Sequence, residues 1–167
     1  MGKLCAALAA GLLACGLWAV PAAAEEPGDR AALKGVEKTR IFWDVGVADA
    51  IALSNRLDVI RDTYQALKRQ GVKPRMAVGF RGQAVELLVT DLDAVPFDAL
   101  GSVDSLHQQM RELKRLAGVD FYACHLAMRR HGVAKAQLME GVQVVTNIFV
   151  AVAGFHEQGY TRIPMME

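Results

Sequence analysis

Val119-Asp-Phe-Tyr-Ala-Cys124-His-Leu-Ala-Met-Arg-Arg-His131-Gly-Val133 changes character at its middle. Val119 to Ala123 is apolar and β-prone, follows a Gly-Val signal, and reads as a buried parallel strand. From His125 to His131 the spacing turns helical, with Leu126 and Met128 to Arg130 ahead of the stop at Gly132. Cys124 therefore falls where a strand ends and a helix begins. In open α/β sheets that carboxyl edge is where ligands and chemistry gather. A thiol near a helix N-terminus also meets unpaired N–H groups and a partial positive charge, which favour thiolate over thiol.

The same alternation extends outward in both directions. Upstream, Arg40 to Val45 reads as the first strand, with an exit loop from Gly46 to Ala50. Leu53, Leu57, Ile60, Tyr64 and Leu67 then recur at steps of four, three, four and three, an amphipathic helix closed by Gly71. Pro74 to Phe80 is a second strand turning at Arg81-Gly82, Gln83 to Val89 is open between helix and strand, and Thr90 to Gly101 with Pro96 reads as loop. From Ser105 a second amphipathic helix puts Leu106, Met110, Leu113 and Ala117 on its apolar face, capped by Ser102 or Asp104, with His107 on the solvated side.

Downstream, Lys135 to Glu140 reads as a short helix and Gly141 to Thr146 as a short strand or a connection. Asn147 to Gln158 reads as a helix with Ile148, Val152 and Phe155 inward, and Tyr160 to Ile163 as a last strand. Strand and helix patterns alternating from end to end predict an α/β fold. The expected form is a three-layer, flavodoxin-like, mostly parallel sheet with helices on both faces.

A chain of 167 residues, 53% hydrophobic, holds one core. Residues 1–24 carry the marks of a secretory signal peptide: Lys3, an apolar run from Leu4 to Val20, and the small-residue site Pro21-Ala-Ala-Ala24 before Glu25. Residues 25–38 read as a tether and 39–167 as the domain. The expected location is periplasmic, with no membrane attachment after cleavage. A rival reading takes Leu12-Leu-Ala-Cys15 as a lipoprotein box with Cys15 lipidated.

Cleavage after Ala24 removes Cys5 and Cys15, leaving Cys124 as a single thiol where cysteines usually pair. Such a cysteine is either reactive or buried and inert. Losing Lys3 brings the 19 Lys and Arg to 18, against 18 Asp and Glu, so no basic footprint for nucleic acid remains.

Neither Gly79-Phe-Arg-Gly82 nor Asp44-Val-Gly46 is a dinucleotide or P-loop signature, so no cofactor is expected. Gly79 and Gly82 flank a strand exit and are candidate binding positions, although glycine there also serves as turn punctuation. Cys124 with His125 and His131 is too few ligands for a zinc site, and adjacent residues on a turn seldom face one metal. His125 beside the thiol, with Asn147 elsewhere, is not a triad signature. With Arg129 and Arg130, however, His125 raises the local positive potential and can hold a thiolate, against the plainer reading of the two arginines as a solvated helix face.

Phe121 to Val133 resembles the strand-Cys-x-x-Ala-x-x-Arg-x-Gly segment of the DsrE/DsrF-like proteins, a group that includes sulfur-relay subunits. Gly79-Phe-Arg-Gly82 through Leu88 is similar to that family's second-strand exit, and Gly141-Val142 through Ile163 to its last helix and strand. The likeness spans about residues 39 to 164 and is carried by the order and spacing of loose motifs.

It implies a three-layer domain assembling into homo-oligomers, trimers or hexamers. It also implies that the cysteine matching Cys124 accepts sulfane sulfur as a persulfide and hands it on, as a sulfurtransferase-type covalent carrier. Partners would be sulfur donor and acceptor proteins or small sulfur compounds. An exported chain departs from the cytoplasmic relay members, so its donor and acceptor would differ. Against the carrier stand a non-catalytic binding or assembly module with Cys124 buried, and a redox sensor forming an intermolecular disulfide.

Overall fold

The structure, a computed structural model, describes residues 28–93, 97 and 99–166. The expected signal peptide, Cys15, the opening of the expected tether and Pro96 lie outside the described residues. The elements in chain order are β1 (Lys38–Val45), α1 (Ala50–Arg69), β2 (Lys73–Phe80), a 3₁₀ segment (Gly82–Leu88), α2 (Leu100–Lys114) and β3 (Val119–Cys124). They are followed by α3 (His125–Arg130), a 3₁₀ turn (Lys135–Gln137), β4 (Val142–Val145), α4 (Ile148–Glu157) and β5 (Thr161–Met165).

The five strands form one sheet in the order β4-β3-β2-β1-β5, and every pairing is parallel. From β1 to β4 the chain steps steadily one way across the sheet, and from β4 it returns past three strands to β5. Right-handed crossovers put α1 and α2 on one face and α4 on the other. The sheet is thus the centre of the three layers that the alternating pattern predicts.

α1 buries Leu53, Leu57, Ile60, Tyr64 and Leu67, the five residues that the spacing selects, and Asp49 Oδ1 accepts from Ala52 N at 2.7 Å to cap it. On the opposite face Phe155 of α4 packs its ring against Phe42 of β1, Tyr122 of β3 and Tyr160. Row partners in the sheet share a face, so Asp44, Gly79 and Tyr122 stand in line under α4. A Cβ on Gly79 would come within 2.5 Å of the Phe42 ring and 2.8 Å of Ile148 Cδ1, so only glycine lets the start of α4 settle on β2. Leu33 and Val36, ahead of β1, rest against the same core.

Three local expectations are corrected. His107 is buried, not solvated, and its Nε2 lies 2.9 Å from the Leu87 carbonyl oxygen. α2 begins at Leu100 with Ala99 at its cap and no capping side chain; the Ser102 hydroxyl instead donates to the Ala99 carbonyl, and Ala117 lies beyond the helix end. The expected helix at Lys135 to Glu140 is a single 3₁₀ turn, because Thr90 N donates to the Gln137 carbonyl and Met139 N to that of Leu88. Those bonds and the Val89–Leu138 bridge draw the chain straight. Among the described residues no helix is long and apolar enough to cross a membrane.

Candidate functional site

The carboxyl ends of β2, β3 and β4 open onto a cleft of about 250 Å³. Cys124 ends β3 and stands at the N-cap of α3 in extended backbone, so its side chain is set by the strand and the helix turns away from it. The residue is only 5% exposed and lines the cleft, which makes it floor, not rim. The thiol is free, as expected of a chain with one cysteine among its described residues.

Three walls rise from that floor. β2 exits through Arg81 and Gly82, where Gly82 has φ +56°, a left-handed turn that glycine adopts without strain. α3 contributes Leu126, Ala127 and Arg130, with His131 just past its end. The N-terminal end of α4 supplies Asn147, Ile148 and Phe149, with Asn147 Oδ1 accepting from Phe149 N at 3.0 Å. Two guanidinium groups and the positive end of a ten-residue helix thus border the space over the thiol.

Arg81 is fixed in place. Its Nε donates to Asp44 Oδ1 at 2.8 Å, its Nη2 to the Met166 sulfur at 2.9 Å, and its guanidinium carbon lies 5.7 Å from the Phe149 ring centroid. Asp44 is wholly buried and also accepts from Arg162, whose Nε lies 3.0 Å from Oδ2. Two cations on one buried carboxylate leave a net positive charge at this end of the sheet.

His131 is tied to the 3₁₀ segment: its Nδ1 lies 2.7 Å from Glu86 Oε1. Both residues also line a larger groove of about 640 Å³, whose lining does not include Cys124. The cleft is the smaller space and the one that holds the chemistry. Beneath α4, burial pushes the Tyr122 hydroxyl pKa up from its usual value, with Asp120 and Tyr160 adding to it and Gln143 and Arg75 opposing.

Of the residues that the sequence marks, Cys124, Gly82, Arg130, His131 and Asn147 come together at the cleft. Arg129 borders a shallow surface hollow with Leu126 and Arg130, His125 is exposed and outside the cleft, and Gly79 lies inside β2. Arg81, Glu86, Asp44 and Phe149 complete the site and are not singled out by sequence reasoning. Asp44 carries a usable signal, a carboxylate inside the apolar run Ile41-Phe-Trp-Asp-Val45, which has to find a cation. Among the described residues no three His, Cys, Asp or Glu side chains gather as a metal site.

Comparison with known proteins agrees with this architecture. The sequence profile of the DsrE/DsrF-like family matches residues 58–163. An uncharacterized protein of Aquifex aeolicus is 25% identical over 125 residues, 75% of this chain; the match spans 55% of that relative's length. Among solved structures, the ychN protein of E. coli is similar with a TM-score of 0.55 and 13% identity, covering 76% of this chain and 99% of that one. A protein of unknown function from Methanobacterium thermoautotrophicum is similar with a TM-score of 0.52 and 22% identity, covering 77% and 98%. At such identities these two structures speak for the fold alone.

Proposed function

The chain belongs to the DsrE/DsrF-like family, and from that premise we propose that it is a sulfur carrier: Cys124 takes sulfane sulfur as a persulfide and passes it to an acceptor. The observation that carries this reading is the placement of the thiol on the floor of an open cleft bordered by Arg81, Arg130 and the N-terminal end of α4. A carrier cysteine reacts as thiolate and then holds a persulfide anion, and positive surroundings favour both. Near-complete burial limits attack to donors that enter the cleft, which protects a bound persulfide from indiscriminate exchange.

Export to the periplasm belongs to the same proposal, supported by the pattern of Lys3, the apolar run and Ala24. Cell fractionation with N-terminal sequencing of the mature protein tests it; a chain retaining residues 1–24 in the cytoplasm would contradict it. Self-assembly is also proposed. α4 leaves Phe149 and Val150 on the surface, 58% and 68% exposed, an apolar pair that a second copy would cover.

Loading with inorganic polysulfide tests the carrier: the intact mass should gain one sulfur, about 32 Da, in the native protein and none in Cys124→Ser. A native protein that gains no sulfur would contradict it. The 5% exposure of Cys124 favours the second reading, a binding or assembly module of the same fold with an inert thiol. Native thiol labelling separates the two. Modification within minutes at neutral pH supports the carrier, and protection until unfolding supports the module.

A further inference from the structure

We propose that His131, held by Glu86, is the proton carrier for sulfur transfer at Cys124, an inference that rests on the persulfide reading above. All four histidines are among the described residues, and His131 is the one that lines the Cys124 cleft. His107 is committed to the Leu87 carbonyl, and His125, although next to the thiol in sequence, is not part of the cleft wall. Nearness in the chain is thus a poor guide to nearness in the site.

The position suits the role. Cys124 caps the start of α3 and His131 its end, seven positions apart. The helix between them advances roughly 10 Å along its axis, and both residues line the same cleft. The Glu86 contact fixes the ring beside the cleft that a persulfide substrate would enter.

The contact at 2.7 Å is a hydrogen bond donated by ring Nδ1 to ionised Glu86, and in the neutral ring Nε2 is then the acceptor. The charged groups lining the space around the ring are Arg81 and Arg130 on the cleft side, and Asp49, Glu86 and Asp91 on the groove side. Glu86 acts through the imidazole and is a positioning residue.

The step balances without a co-reactant. Neutral His131 receives the Cys124 proton through water held in the cleft, and Sγ attacks the outer sulfur of a persulfide R–S–SH. The new S–S bond forms as the bond to the inner sulfur breaks, and the departing thiolate recovers the proton from the imidazolium. Cys–SH and R–S–SH become Cys–S–SH and R–SH, with no net oxidation. The reverse sequence on an acceptor thiol uses the same ring to deliver the sulfur.

The test follows sulfur uptake from glutathione persulfide by time-resolved intact mass across pH, in the native protein, His131→Gln, His131→Ala and Glu86→Gln. His131 is partly exposed at a helix end, and circular dichroism verifies that each variant is folded. Loss of the ring should slow uptake about a hundredfold, and added imidazole should restore much of the rate in His131→Ala while leaving the native rate unchanged.

The native protein and His131→Gln should differ in the pH profile of uptake. Glu86→Gln should slow uptake by less than loss of the ring. Equal rates and pH profiles in the native protein and His131→Gln overturn the role and leave the Cys124 reading standing. A native protein that takes up no sulfur overturns that reading and this role with it.

Discussion

Arg81 and Asp44 are joined across neighbouring strand ends: the Arg81 Nε hydrogen bonds Asp44 Oδ1 at 2.8 Å, with the carboxylate wholly buried and the guanidinium a quarter exposed. The carboxylate is the anchor and the guanidinium the working surface. Arg162 shares the anchor from β5, so β1, the exit of β2 and β5 are tied at one end of the sheet, beside the cleft. Asp44→Asn keeps the volume but weakens both bonds. We expect a loss of roughly 1–3 kcal/mol in urea unfolding together with slower labelling of Cys124. Unchanged labelling would mean that Arg81 does not set the environment of the thiol.

Gly79 offers a steric test. In Gly79→Ala the added methyl meets the Phe42 ring of β1 and Ile148 at the start of α4. The expected cost is about 1–3 kcal/mol, read from the urea midpoint, with Cys124 becoming more accessible as α4 lifts. A neutral substitution would mean that α4 sits further from the sheet.

His107→Leu probes the buried contact that periodicity misses. The Leu87 carbonyl loses its partner, and a loss of about 1–3 kcal/mol is expected from leaving a buried polar group unpaired. Differential scanning calorimetry would detect it, and an unchanged transition would contradict the assigned contact.

These cases indicate what the sequence discloses and what it conceals. The core face of α1 is legible because one helix meets one sheet, and a 3.6-residue period maps directly onto burial. Cys124 at the junction of β3 and α3 is legible because two local patterns abut there. The rest of the cleft is not, since Arg81 from the exit of β2 and Phe149 from α4 reach it only through the strand order. His107 misleads for a related reason: the carbonyl that satisfies it belongs to an irregular 3₁₀ segment with no periodic signature. His125 misleads because the backbone turns at Cys124 and carries the next side chain away from the cleft.

The exposed apolar pair on α4 yields a prediction about assembly. Phe149→Glu with Val150→Glu should lower the mass measured by light scattering if α4 joins copies, while circular dichroism stays unchanged. An unaltered mass would place any interface elsewhere. Because Phe149 also stacks beside Arg81 at the cleft, the same variant should alter Cys124 labelling.

The most direct measurement of the central claim is to load the protein with polysulfide labelled with heavy sulfur, map the label by peptide mass spectrometry, and release it with cyanide. The account predicts one labelled sulfur on the peptide containing Cys124, recovered as thiocyanate and transferred to an added acceptor thiol. Label spread over other residues, or a Cys124 that stays unmodified while the protein is folded, would contradict it.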